Sequence, residues 1–165
     1  MENADLSLRP PRHRVSPTAI WFWGVRAALG WLVLIAVQVL WAVADDGNRA
    51  VHLTVLAVTV VAGLAHVTVM PWWRYRVHRW ETTADAVYTQ SGWLQQEWRI
   101  APISRIQTVD SERGPLEQLF GLANVTVTTA SAAGPLRVNG LDRATAQRLV
   151  DELTANTQAT TGDAT

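Results

Sequence analysis

The residues that could carry out chemistry are few in this sequence, and none stands in a known catalytic pattern. A hydrolytic triad could be assembled on paper from Ser104, Ser111, His78, Asp85 and Asp110. The nucleophilic serine of many hydrolases stands in a Gly-x-Ser-x-Gly turn, and neither serine here has such neighbours. The sequence therefore predicts a protein that is not an enzyme.

Sites for phosphate, metal or nucleic acid are not indicated by the sequence either. The string "RGPLEQLFGLA" has the wrong spacing for a glycine-rich phosphate loop and contains a proline. The four histidines are scattered, and there is no cysteine to supply a thiolate or a disulfide. The formal net charge is zero, which gives no general attraction to nucleic acid. We expect no cofactor and no nucleic-acid partner.

One basic cluster is the best candidate for a functional contact. It consists of Arg74, Arg76, His78 and Arg79 and directly follows an apolar segment. Basic groups next to an anionic leaflet contribute about 1 kcal/mol each, so the cluster could bind lipid headgroups or a partner. The simpler interpretation, which the sequence favours, is anchoring and topology alone. Arg26 has the same two interpretations, because its side chain can snorkel to the headgroups.

Two long apolar segments stand before this cluster, at residues 18–44 and 51–70. At about 1.5 Å of helical rise per residue, each can cross a hydrocarbon core of about 30 Å. The polar link between them is short, which predicts an antiparallel transmembrane hairpin over residues 18–71. Gln38 and His66 are placed to form hydrogen bonds between the two helices.

The arginine distribution predicts the orientation of the hairpin. Arginines flank both outer ends, whereas the link carries Asp45, Asp46 and one arginine. The positive-inside rule then places both termini in the cytoplasm of a two-pass protein of the cell membrane, with residues 1–17 as a cytoplasmic tail. Five tryptophans would form the interfacial belts: Trp21, Trp23, Trp41, Trp72 and Trp73. A cleaved signal peptide ending at Ala44 is the alternative, but the apolar run is longer than such peptides need.

The second half has the pattern of a small β-rich domain at residues 72–155. Alternation predicts a strand over Arg74–Glu81, a hairpin around Ser91–Gly92 and further strands up to residue 140. Two helices are also predicted. The first is short, begins at Pro115 after Gly114, ends at Gly121 and buries Leu116, Leu119 and Phe120. The second is capped by Asp142 and buries Ala146, Leu149, Val150 and Leu153. Residues 156–165 are polar, so we expect a disordered tail.

Several strings resemble the bacterial pleckstrin-homology-like (PH-like) domain of the YdbS-type membrane proteins. They are "WRYRV", "SGWLQQEWRIAPISRIQTVD", "RGPLEQLFGLANVTVTTAS" and "VNGLDRATAQRLVDEL". The signature residues within them are Arg105, Gln107, Gly114, Pro115, Leu119, Phe120, Gly121 and Leu122. The resemblance implies an antiparallel barrel or sandwich of about seven strands plugged by a C-terminal helix, behind a two-helix hairpin.

The resemblance implies no established activity, and it leaves three hypotheses open. The first is a protein-interaction module that binds a membrane protein carrying related PH-like domains, or a second copy of itself. The second is sensing of anionic membrane lipids through the arginine cluster. The third is an enzyme or a transport accessory subunit. Phosphoinositide recognition is not expected, because the first loop, "ETTADA", holds Glu81 and Asp85 and no arginine.

Overall fold

The computed structural model describes residues 9–45, 47–131 and 134–162. Two long helices are followed by six β-strands and a C-terminal helix, and one further strand precedes the first helix. The elements are β1 (His13–Arg14), α1 (Thr18–Ala44), α2 (Arg49–Val77), β2 (Arg79–Thr82), β3 (Ala86–Gly92), β4 (Gln96–Pro102), β5 (Ile106–Glu112), α3 (Pro115–Leu119), β6 (Leu122–Thr129), β7 (Leu136–Asp142) and α4 (Arg143–Gly162).

Helices α1 and α2 form the expected antiparallel hairpin, and both are long and apolar enough to cross a membrane. Two hydrogen bonds join their facing sides, as the sequence predicted. Trp31 Nε1 donates to His66 Nδ1 at 2.9 Å, and Gln38 Nε2 donates to Thr59 Oγ1 at 2.8 Å. Such bonds satisfy polar groups that would otherwise face hydrocarbon.

Helix α2 is longer than predicted, and the strand expected over Arg74–Glu81 is wrong up to His78. The helix continues through Pro71 to Val77, and strand β2 begins only at Arg79. Pro71 is buried against α1, where Gly24 leaves room for its ring. This packing offsets the lost backbone hydrogen bond. Over four residues, an alternating pattern also fits a helix end that buries Tyr75 and Val77, so the sequence pattern was ambiguous.

The strands form two antiparallel sheets, in the orders β1-β2-β3-β4 and β5-β6-β7. The sheets enclose one core with α4, whose buried members come from β3, β4, β6, β7 and α4. Val125 and Val127 of β6 are fully buried, as expected. Asp142 Oδ1 accepts a hydrogen bond from Thr145 N at 2.9 Å and caps α4 as predicted. The predicted seven-stranded fold with a C-terminal helix is therefore confirmed.

The seventh strand comes from the segment before α1, which we name the N-terminal strap (residues 9–17). Its β1 pairs with β2, and Ser16 N donates to Gly140 O of β7 at 2.8 Å. The strap thus contacts both sheets. Arg9 and Arg12 form ion pairs with the buried Glu81 at 2.8 and 3.3 Å. Glu81 was one reason not to expect phosphoinositide binding, and in the structure it holds the strap in place.

Two further expectations are corrected. Helix α4 does not end near residue 155 but continues to Gly162, where the first helix-breaking residue stands. Residues 156–162, expected in a disordered tail, form the end of α4, and residues 163–165 lie outside the described part. In α3, Leu119 is 77% exposed rather than buried, whereas Leu116 and Phe120 are half-buried.

Candidate functional site

The predicted basic cluster lies where the membrane hairpin meets the sheets, but the structure divides it. The side chains of Arg74 and His78 pack together against Trp23 of α1. The Arg74 guanidinium carbon lies 4.6 Å from the centroid of the Trp23 ring, and the His78 ring lies 5.0 Å from that ring. Trp23 is only 3% exposed, so its expected place in the interfacial belt is wrong.

The hydrogen bonds among these side chains fix the tautomer of the His78 ring, and its surroundings fix its protonation. His78 Nδ1 donates to the Arg74 carbonyl oxygen at 2.8 Å, and His78 Nε2 accepts from Arg74 Nε at 3.4 Å. Burial first, and the Arg74 charge second, lower the pKa of His78 from 6.5 to about 4, against the opposing effect of the bond to the carbonyl. The ring is therefore neutral at physiological pH and joins α2 to α1 through Arg74.

The other three members of the predicted contact set remain near the surface. Arg79 is half-buried and donates to the Pro11 carbonyl oxygen of the strap at 3.5 Å. Arg26 is exposed on α1 and acts electrostatically on Arg74. Arg76 is exposed and forms no ion pair with a carboxylate of the described ranges. Of the set, Arg76 and Arg26 are the groups available to a lipid or a partner.

The hypothetical triad is not assembled. Ser104 and Ser111 are exposed, and the Asp110 carboxylate accepts a hydrogen bond from Thr108 at 2.9 Å. The hydrogen bonds of the His78 ring go to Arg74. Within the described ranges, no group of three or more potential metal ligands occurs.

The signature residues have mainly structural roles. Gly114 precedes α3 and Pro115 occupies its first turn, while Gly121 has a φ of +66°, which a residue with a side chain rarely adopts. Phe120 packs edge-on against Phe22 of α1 at a centroid distance of 6.1 Å, and Leu122 is fully buried in the same cluster. Helix α3 therefore fixes the sheets to α1, rather than filling a corner of the barrel alone. Arg105 and Gln107 are exposed.

Two apolar surfaces were missed by the sequence analysis. One is the β4 face, which we define as Trp98 and Ile100, 42% and 54% exposed on the last strand of its sheet. The other is the hairpin tip, defined as Trp93 and Leu94 between β3 and β4. The available signal was the apolar pair at a turn, together with a tryptophan and an isoleucine two residues apart on β4.

These features define the class of protein: a transmembrane helical hairpin that carries a seven-stranded sandwich closed by a C-terminal helix. Residues 19–157 match the family model of the bacterial PH domain, and the chain belongs to this family. It is also similar to the UPF0699 transmembrane protein YdbS of Bacillus subtilis (strain 168). The two share 28% identity over 162 residues, which cover 93% of this chain and 97% of the relative. No solved structure matches the chain.

The matches extend over the helices as well as the sheets, so they concern the whole architecture. Together with the two apolar helices, they identify a membrane protein with a bacterial PH-like domain. This confirms the resemblance found in the sequence.

Proposed function

We propose that this protein is a membrane-anchored assembly module whose PH-like domain docks a protein partner in the same membrane. The partner class is a membrane protein with related PH-like domains or a second copy of this chain. The exposed apolar β4 face is the observation that carries the proposal. The proposed side of the membrane is the cytoplasm, from the arginines that flank the hairpin.

Strand β4 lies at the edge of its sheet and exposes the apolar Trp98 and Ile100 beside the charged Glu97 and Arg99. Edge strands are commonly protected by charged residues or proline, because an exposed edge invites pairing with another chain. Tryptophan is enriched among the residues that contribute most to protein interfaces. A groove of about 300 Å³ runs beside the β4 face, between β4 and the turn that precedes β7.

The β4 face is held rigidly. Arg99 lies between its two members and donates to the carbonyl oxygens of Gly134 and Pro135 at 2.8 and 2.6 Å. Backbone pairing with β3 fixes Trp98 opposite Gln90 and Ile100 opposite Tyr88. A surface already ordered before binding loses less entropy when a partner docks.

The test compares a double variant with a matched control in the full chain. Trp98→Ala with Ile100→Ala removes the β4 face, whereas Leu119→Ala removes an even more exposed apolar side chain elsewhere. Two differently tagged copies and the native membrane proteins would be co-purified in mild detergent. We expect the double variant to lose its partner or its second copy and Leu119→Ala to keep them. Unchanged co-purification of the double variant would contradict the proposal.

Sensing of anionic lipids is the second candidate function. It is favoured by Arg76, which is exposed at the C-terminal end of α2. Arg76→Gln tests it without disturbing the buried Arg74, and Arg143→Gln on exposed α4 is the control. Lipids retained by each purified variant would be counted by mass spectrometry. Lipid sensing prevails if the native chain selects one anionic lipid, only Arg76→Gln loses it, and no protein partner is found.

A further inference from the structure

Trp93 of the hairpin tip lies against the second membrane helix, α2. Trp73 Nε1 donates to the Trp93 carbonyl oxygen at 3.0 Å, and the Trp93 ring lies 5.5 Å from the His66 ring. Both partners belong to α2. The connection between β3 and β4 is therefore folded back along the second membrane helix.

The position of His66 indicates how deep this contact lies. His66 is seven residues before Trp73, which corresponds to about 10 Å along a helix. A hydrocarbon core of about 30 Å accommodates about 20 helical residues. A span that starts near Val51 therefore ends near Met70, and His66 falls inside it. Val69, one turn further along the same face of α2, is 57% exposed, as expected for a side chain that faces lipid.

Leu94, the second residue of the hairpin tip, has almost no protein contact. It is 86% exposed, the most exposed large apolar residue of the described ranges. In water such a side chain gains nothing, whereas insertion into lipid removes its apolar surface from water and is favourable. Gln95 and Gln96 follow at once and are also exposed. Their polar side chains suit the headgroup region and limit the depth of insertion.

We propose that Trp93 and Leu94 insert into the apolar edge of the leaflet nearest the PH-like domain, beside His66. The occupant of this surface is lipid, because the tip is continuous with the lipid-facing side of α2. The insertion gives the domain a second attachment to the bilayer, in addition to the α1–α2 hairpin. It does not depend on the β4 face having a protein partner.

Spin labels at single cysteines test the proposal in the full chain, which has no cysteine of its own. Leu94→Cys is the probe, Leu64→Cys on α2 the lipid reference and Asp151→Cys on exposed α4 the aqueous reference. The variants would be reconstituted in phosphatidylcholine–phosphatidylglycerol vesicles. Collision with oxygen, which concentrates in lipid, is compared with collision with a water-soluble nickel chelate. We expect Leu94 to match Leu64, with a severalfold higher oxygen-to-chelate ratio than Asp151.

Dilution of the protein in lipid separates insertion from contact with a second chain. If lipid shields the label, its ratio stays constant as the lipid-to-protein ratio rises. A ratio that falls to the Asp151 value on dilution would show a protein contact and overturn the proposal. A ratio equal to that of Asp151 at every dilution would place the tip in water and overturn it as well. Thermal unfolding of each labelled variant in the same vesicles checks that the fold is kept.

Discussion

The neutral charge of His78 is tied to its place in the packing between the helical hairpin and the sheets. It is 4% exposed, accepts a hydrogen bond from Arg74 and lies against Trp23, so its neutral form is built into the junction of the hairpin and the sheets. Sequence analysis placed His78 in a basic contact patch because it stands between arginines. The local sequence could not show that Trp23, 55 positions earlier, covers it in the folded chain.

The lowered pKa of His78 predicts a loss of stability in acid. The unfolded chain binds this proton below pH 6.5, whereas the folded chain binds it only below about pH 4. Stability linked to His78 is therefore complete above pH 6.5 and is lost as the pH falls towards 4, by an amount on the order of 3 kcal/mol. His78→Gln cannot titrate, so its melting temperature in detergent should change less between pH 7 and 4.5. Equal changes in both proteins would contradict the assignment.

Truncation of Phe120 measures how strongly the end of α3 is held against α1. Its ring is half-buried against Phe22, so Phe120→Ala should destabilise the full chain by about 2 kcal/mol, less than a fully buried phenylalanine. Leu119→Ala on the same helix should change stability by less than about 0.5 kcal/mol, since that side chain is exposed. Thermal unfolding in detergent measures both. A larger loss for Leu119→Ala would mean that α3 is oriented differently.

Between elements, α1 packs tightly against β7 at Gly140. A Cβ atom there would lie 3.0 Å from Ala19 Cβ and 3.4 Å from the Trp23 ring, and the residue has a φ of +78°. Gly140→Ala should therefore lose stability from backbone strain, about 1–2 kcal/mol, and also from separation of α1 and β7. Gly121→Ala has similar strain, at φ +66°, but open space around it. The melting temperature should fall further for Gly140→Ala, and equal losses would show that α1 does not dock on β7.

The sequence predicted those elements whose stability is local. Helix α1 has one long, mostly apolar run, α4 has a capping aspartate with a 3.6-residue stripe, and β6 alternates around Val125 and Val127, so each was found. The failures depend on distant contacts. Helix α2 passes through Pro71 because α1 packs against it, and β1 is a strand only because β2 pairs with it. The site was predicted least well, since burial of Arg74 and exposure of Trp98 are tertiary properties.

At the scale of the whole molecule, the N-terminal strap constrains the topology. Residues before α1 and residues after α2 form one sheet through the β1–β2 pairing, and the Ser16–Gly140 hydrogen bond joins the strap to the second sheet. Strands in one sheet must lie on the same side of a bilayer, so we expect the two helices to cross it as a hairpin. Removal of residues 1–44 as a signal peptide would also remove β1, Trp23 and Phe22 from the packed structure. The strap thus favours a retained α1.

The side on which this sheet lies is the last prediction. Arginines at the strap and at the end of α2, against Asp45 and Asp46 in the link, predict that the sheet is cytoplasmic and that Asn48 faces outward. Single cysteines at Asn48 and Asp151, both in exposed positions, can be probed with an impermeant thiol reagent in intact cells. We expect labelling of Asn48→Cys, and labelling of Asp151→Cys only after the cells are permeabilised. Labelling of Asp151→Cys alone in intact cells would show that the topology is the reverse of the predicted one. Labelling of both in intact cells would contradict a membrane-spanning α2, because Asn48 and Asp151 then could not lie on opposite sides of a bilayer.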